Sequence, residues 1–226
     1  MCNLHALRSD PSRLSERFGA AAAPLGNLPD LPAVFPGTDV PLVRAADDSS
    51  GQRAFVRSRW GWPHWKAGAR PLTNLRNTDS SFWRPWVTKA EHRCLVPFTA
   101  FAEYHPTEKT ERGHKAAVWL ATGEDRPLLA FAGIVRPAKA SEPDDAASSP
   151  DDDAPGFIHA FLTTEPNVEV APIHPKAMPA ILTTDEEFEV WLRGPADEAL
   201  ALQRPLPNSA LFVVRLGPKR DADEVA

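Results

Sequence analysis

Prolines number 24 in 226 residues, about a tenth of the chain and roughly twice the usual share. Each fixes φ near −65° and removes a backbone donor, so a long helix or a long central strand cannot carry many of them. That density argues against a helix bundle and for short strands joined by many turns. The apolar fraction of 42%, with seven Trp, is enough to build a real core and excludes global disorder. The length suits one compact domain or two small ones. One domain over 1–226 is the expectation, with a mobile acidic loop at about 138–155 and a flexible tail from about 218.

Periodicity and caps fill in the elements. Asp10-Pro11-Ser12 reads as a helix start, with Leu14 and Phe18 on one face and Gly19 as the stop. Residues 20–50 read as loop with one strand near Val40–Val43. Apolar or alternating runs at Cys94–Phe98, Ala116–Ala121, Leu128–Val135, Phe157–Thr163 and Leu211–Leu216 predict strands. Thr184-Asp-Glu-Glu187 is a capping box, followed by the stripe Phe188, Trp191, Leu192 and a stop at Gly194. A short helix over Ala196–Leu202 follows. The class is α+β, with a strand-rich core and peripheral helices.

The opening residues turn polar immediately, unlike a signal peptide, and no apolar run approaches the ~18–20 residues that span a bilayer. Cys2 and Cys94 are too few for a disulfide scaffold or a cysteine metal cage. The seven His show no metal spacing such as H-x-x-x-H. A cytoplasmic monomer with no cofactor and no metal is expected, at the nucleoid if the source is bacterial. The net charge of −5 hides an asymmetry. Residues 1–140 carry 19 Lys and Arg against 13 Asp and Glu, while 141–153 hold six acids and no base. A basic N-terminal part is compatible with phosphate contacts.

Four places offer chemistry. Cys2 becomes the first residue if Met1 is removed, and then carries an amine and a thiol on adjacent carbons. Their ordinary pKa values of about 8 and about 8.5 leave both partly nucleophilic at neutral pH. An aldehyde can condense with the amine to a Schiff base, and the sulfur can close a five-membered thiazolidine. An internal cysteine cannot do this. The segment Pro71-Leu-Thr-Asn-Leu-Arg-Asn-Thr78 follows the aromatic run Trp60-Gly-Trp-Pro-His-Trp65, a combination suited to stacking bases and binding phosphates. On pattern alone it reads first as a turn whose Asn74 and Asn77 satisfy backbone groups, with its Trp in the core. Glu103 sits between Phe101 and Tyr104 after an apolar run; a desolvated acid there has a raised pKa, whereas a strand end would point it to water. Cys94 reads as a buried small hydrophobe. His174 is fixed between an apolar tripeptide and Pro175.

Taken together, these places resemble the SOS-response-associated peptidase family, which includes the abasic-site shield proteins. The family pattern runs Met-Cys-Gly-Arg, W-G-x-x-P-x-W, N-A-R-x-E, R-C-(L/I)-(I/V)-P…(F/Y)-x-E-W and (A/D)-I-H-x-R-M-P. Here the segments read MCNL, WGWPHW, NLRNT, RCLVPFTAFAEY and APIHPKAMP, in the same order over nearly the whole chain. The resemblance implies a β-barrel-like core with the new N-terminus in a cleft for single-stranded DNA. It implies Cys2 as amine and thiol, Asn74 holding the N-terminus and sugar, and Glu103 moving protons during Schiff-base formation and loss of Met1. His174 would assist sugar opening and reversal. Arg76 would bind phosphate, and Pro63 and Trp65 would lie against the nucleic acid. Asn3 and Leu4 stand where the family has Gly and Arg, removing a backbone-tolerant position and a phosphate contact. Asn77 and Thr78 replace the pair after Arg76, and Pro175 and Lys176 follow the His.

The expected function is covalent capture of abasic sites in single-stranded DNA through Cys2. An N-terminal-nucleophile hydrolase, with Cys2, His174 and Asn74 as a thiol triad, is the alternative enzyme. A non-catalytic single-strand-binding module is the alternative without chemistry.

Overall fold

The computed structural model describes residues 2–46, 51–66, 68–139 and 156–221. Of the acidic loop and the tail expected from sequence, 140–155 and 222–226 lie outside these residues. In chain order the described elements are β1 (His5–Leu7), α1 (Pro11–Phe18), β2 (Leu31–Val34), β3 (Asp39–Ala45), β4 (Arg53–Trp60) and β5 (Asn74–Leu75). There follow α2 (Arg84–Val87), β6 (Arg93–Phe98), β7 (Ala100–Lys109), β8 (Lys115–Ala121), β9 (Leu129–Pro137) and β10 (Phe157–Thr164). The chain ends with β11 (Met178–Pro179), β12 (Ile181–Leu182), α3 (Asp185–Arg193), α4 (Ala196–Ala201) and β13 (Phe212–Gly217). The α+β class is the one expected.

Five strands close on themselves. β3 pairs with β4 through Val43↔Phe55, and β4 runs parallel to β10 through Trp60↔His159. β10 pairs with β9 through His159↔Val135, β9 with β6 through Phe131↔Val96, and β6 returns to β3 through Val43↔Leu95. A closed ring has no unpaired edge among its members and gives every strand an inner and an outer face. Alternation sorts the side chains accordingly. Val40, Leu42, Trp60, Val96, Phe98, Phe131 and Phe161 form one buried cluster. Val43, Leu95, Ala132 and Ile134 form another, against Phe188, Trp191 and Leu192 of α3.

The inner cluster holds two imidazoles. The His5 ring lies 5.1 Å from Trp60, 5.7 Å from Phe131 and 6.3 Å from Phe161, and neither of its nitrogens has a hydrogen-bond partner. His159 Nδ1 is 3.0 Å from the Ser58 hydroxyl, and its Nε2 is unpartnered. Burial pushes both rings down to about 3, and for His159 the neighbouring His5 adds to the effect. Both are neutral at physiological pH.

The second sheet has the order β13-β8-β7-β1-β2, all antiparallel. β2 lies in the segment expected to be loop. Its Pro32 hides it in the sequence, yet β2 is the edge strand of this sheet, where a missing donor costs least. The pairing of β1 with β7 positions the amino end of the chain. His5 faces Phe101 and the Ala102 N–H donates to the Leu4 carbonyl at 2.9 Å, so residues 2–4 run beside the strand that carries Glu103.

The helices form as their caps dictate. Asp10 accepts from the Ser12 and Arg13 N–H groups at 2.9 and 3.0 Å, and Gly19 ends α1 at φ 60°. Thr184 caps α3 by accepting from Glu187 N–H, while the Glu187 carboxylate reaches one residue further back than a standard box, to Thr183 N–H. Trp191 of α3 then donates its indole N–H to the Cys94 carbonyl at 2.9 Å, tying the helix to β6.

Candidate functional site

Cys2 is buried, 1% exposed, and its thiol lies 3.5 Å from the Leu4 carbonyl and 4.0 Å from that of Ala102. Burial pushes the thiol well above its ordinary range, and the adjacent Glu103 charge pushes it further. It is a neutral thiol at pH 7. Glu103 lies within β7, 4% exposed, rather than at a strand end in water. One of its carboxyl oxygens, Oε1, has no hydrogen-bond partner. Burial raises its pKa to about 7, and the positive charge of the amino terminus pulls the other way. A carboxyl poised there can both give and take a proton.

Asn74 enters from β5, held in register by Phe161 of β10. Its Nδ2 donates to the Cys2 carbonyl at 3.0 Å. Three residues distant in sequence (2, 74 and 103) thus meet at one point. His174 ends the turn after β10, its backbone N–H on the Val170 carbonyl. Its Nδ1 is 2.9 Å from the Ala177 carbonyl and 3.2 Å from the Ala177 N–H, which pins the ring on its own loop in either tautomer. Burial lowers its pKa, and the amino-terminal charge acts in the same direction. That charge acts on Cys2, Glu103 and His174 alike.

Arg76 follows on the same segment as Asn74 and is 47% exposed at the side chain. Its Nη1 donates to the carbonyls of Thr164, at 3.1 Å, and Lys176, at 2.5 Å, and its Nη2 lies 3.4 Å from Glu165. The guanidinium therefore braces the loop that bears His174. Gln203, which no motif or periodicity singles out, closes this corner by donating to the carbonyls of Arg76 and Thr163. The aromatic run divides. Trp60 and Trp62 are core residues, the first stacked on Phe161 and the second edge-on to Trp83 and Trp86. Trp65 alone of the three is exposed, 69%, stacked on His64 at 3.9 Å and edge-on to Phe82 at 5.1 Å. Pro63 is half-buried beside them. The ring contacts of Trp65 are with this aromatic cluster.

The model of the family described as SOS response associated peptidase (SRAP) matches residues 1–219. The chain belongs to the SRAP family. The abasic site processing protein HMCES of Gallus gallus is 26% identical over 199 residues, 74% of this chain and 54% of that one. The chain spans about half the length of that curated relative. A solved structure from Bacteroides thetaiotaomicron shares the fold at a TM-score of 0.69 and 21% identity, covering 93% of this chain and 90% of that one. One from Bordetella bronchiseptica gives a TM-score of 0.67 at 20% identity, with 93% and 97% covered. These two likenesses are of fold.

Within this SRAP chain the departures from the family pattern have structural roles. Leu4 is fully buried in a cluster with Ala6, Ala100, Ala102, Ala117 and Trp119, underneath the second sheet's pairing. Asn3 is exposed, yet its side-chain oxygen accepts from the Thr73 hydroxyl at 2.9 Å. Thr78 reaches the Gln203 side chain at 3.2 Å. Met178, which keeps the pattern, is buried, its sulfur accepting from Asn167 N–H. No group of three or more His, Cys, Asp or Glu among the described residues has the arrangement to hold a metal ion. No helix among them is long and apolar enough to cross a membrane.

Proposed function

We propose that this SRAP protein captures abasic sites in single-stranded DNA as a thiazolidine on Cys2. The observation that carries the reading is the Glu103 carboxyl, buried beside the Cys2 thiol with a pKa near 7. The SRAP family match and the likeness to an abasic site processing protein support it.

The chemistry runs in balanced steps. Hydrolysis of the Met1–Cys2 peptide bond consumes one water, releases methionine and frees the Cys2 amine. Opening of the abasic sugar exposes its aldehyde. The amine adds to that carbon, the carbonyl oxygen leaves as water, and a C=N bond forms. The thiol then adds across C=N, forming the C–S bond while its proton passes to nitrogen. Each step moves a proton, and Glu103 is the group for it. His174, neutral at pH 7, would assist sugar opening and reversal. Asn74 would hold the residue-2 backbone through its carbonyl. Arg76 would meet a phosphate with the part of its guanidinium left exposed, and Trp65 with Pro63 would stack against a base.

The test is incubation of purified protein, confirmed by mass to lack methionine, with an oligonucleotide carrying one abasic site, followed by a denaturing gel. An adduct that maps to residue 2 and vanishes in Cys2→Ala supports the reading. Turnover of an amide substrate with no adduct would instead favour the hydrolase. A second expectation concerns affinity. Trp65→Ala should weaken binding to undamaged single strands by about 1–3 kcal/mol, the usual worth of one stacked base, without changing thermal stability. Unaltered affinity in a titration at low salt would remove Trp65 from the interface.

A further inference from the structure

The Asn74 side chain has two amide hydrogens and one oxygen, and their surroundings fix its orientation. The Cys2 carbonyl can only accept, so the atom 3.0 Å from it is Nδ2. The second hydrogen on Nδ2 goes to the Thr73 hydroxyl at 2.8 Å, with Asn3 Oδ1 more distant at 3.5 Å. That hydroxyl, accepting from Asn74, donates its own proton to Asn3 Oδ1 at 2.9 Å. Thr73 is itself fixed, because its carbonyl accepts from the Trp60 indole N–H at 3.0 Å and from Phe161 N–H at 3.4 Å, both within the barrel wall. Donation fans out from the Asn74 amide, to the Cys2 carbonyl on one side and through the Thr73 hydroxyl to Asn3 on the other. It leaves Asn74 Oδ1 as a buried acceptor with no partner.

An unpartnered buried oxygen costs about 1–3 kcal/mol if it stays so. It is tolerable where a donor arrives during function. We infer that Thr73 and Asn3 are positioning residues that lock the Asn74 amide with its oxygen kept for a donor of the reacting pair, the freed Cys2 amine or a hydroxyl of the opened sugar. The inference rests on the reading of Cys2 as the capturing residue. It gives Asn3, which stands in place of the family's Gly, a task of its own: it takes the Thr73 proton, so that the hydroxyl faces Asn74 as an acceptor. Without Asn3 the hydroxyl is free to turn and donate elsewhere, and the Asn74 amide loses one of its two restraints.

The experiment compares wild type, Thr73→Val, Thr73→Ser and Asn3→Ala. The first-order rate of covalent capture is measured at saturating abasic-site oligonucleotide, and the Kd separately with the undamaged oligonucleotide. Thr73→Val is expected to slow capture about tenfold or more, as displaced catalytic groups do, with Kd changed less than about twofold. Thr73→Ser restores the rate, and Asn3→Ala falls between them. Equal rates in wild type and Thr73→Val overturn the inference. So does a loss of affinity and rate together that serine does not rescue, since that is damage to the fold.

A second measurement is independent of DNA. In the wild type the Asn74 side-chain NH2 protons should give two resolved, slowly exchanging resonances, and in Thr73→Val they should exchange at least about tenfold faster. Unchanged protection overturns the relay whether or not DNA reacts. If wild type captures no abasic site while the NH2 signals behave as expected, the proposed function falls and the relay stands.

Discussion

With Glu103 replaced by Gln, covalent capture is expected to slow by about a hundredfold or more, the usual range for loss of a general acid–base being 10²–10⁴. The same protein is expected to be more stable than wild type at pH 8. Both effects have one cause. Burial raises Glu103 from 4.5 to about 7, so the folded protein holds a proton there that the unfolded chain gives up at lower pH. Stability from this group is complete below about pH 4.5 and is lost as pH rises through 7. By pH 8 the loss approaches ~3 kcal/mol, since one pH unit between the folded and unfolded pKa values is worth about 1.4 kcal/mol. Gln has no charge to desolvate and avoids it. Wild-type capture should accordingly change steeply around pH 7, and the Gln variant should lose that inflection. Stopped gels across pH 5.5–8.5 and urea unfolding at pH 8 give the two readings. A variant as fast as wild type would strip Glu103 of its role, and one less stable at pH 8 would mean the carboxylate is paired after all.

Acid is expected to unfold this protein abruptly between about pH 4.5 and 3, and His5→Phe should move the midpoint down by roughly one unit. His5 and His159 have folded pKa values near 3 against 6.5 unfolded, so the unfolded chain binds more protons throughout that window. Their contribution is present above pH 6.5 and is lost as pH falls towards 3. At pH 5 the two together have given up about 4 kcal/mol, and at pH 3.5 about 8. Glu103 works in the opposite sense and returns about 3 kcal/mol over 7 to 4.5. The sum is nearly flat down to pH 5 and steep below it, on a total of the usual 5–15 kcal/mol. His5 makes no hydrogen bond and sits among Trp60, Phe131 and Phe161, so Phe replaces it without stranding a partner. Tryptophan fluorescence against pH measures the midpoint. An unmoved midpoint in His5→Phe would show that the imidazole finds a way to charge inside the barrel.

What could be read in the sequence follows a physical rule. Local signals survived: the Asp10 and Thr184 caps, the Gly19 and Gly194 stops, and the apolar runs of β6, β8, β9 and β10. β4 was invisible because its inward set, Ser58 and Trp60, includes a serine buried to serve His159. β1 is three residues long and β2 carries Pro32, so neither has a pattern to detect. The closure of the ring was out of reach, since β4 and β10 are about a hundred residues apart and nothing local encodes their parallel pairing. In the candidate site, motif resemblance picked out Cys2, Asn74, Glu103 and His174 individually. Thr73 carried no mark of its own, and Asn3 entered only as a departure from the family pattern.

The seam between β4 and β10 also sets an order in time. Strands β3, β4, β6 and β9 are complete by Pro137, yet they make an open sheet until Phe157–Thr164 has been added. The same segment supplies Phe161 and Leu162, the partners of Asn74 and Leu75. A nascent chain leaves the ribosome amino end first, so Cys2 can pack on β7 well before Asn74 has a strand to hold it in register. Only when about seven-tenths of the sequence has emerged can Asn74 be seated against the Cys2 carbonyl. Cys2 can meet the strand that bears Glu103 once about half the chain is out, but the Asn74 amide that holds its carbonyl is seated only after β10 is added, so the site is assembled in two stages.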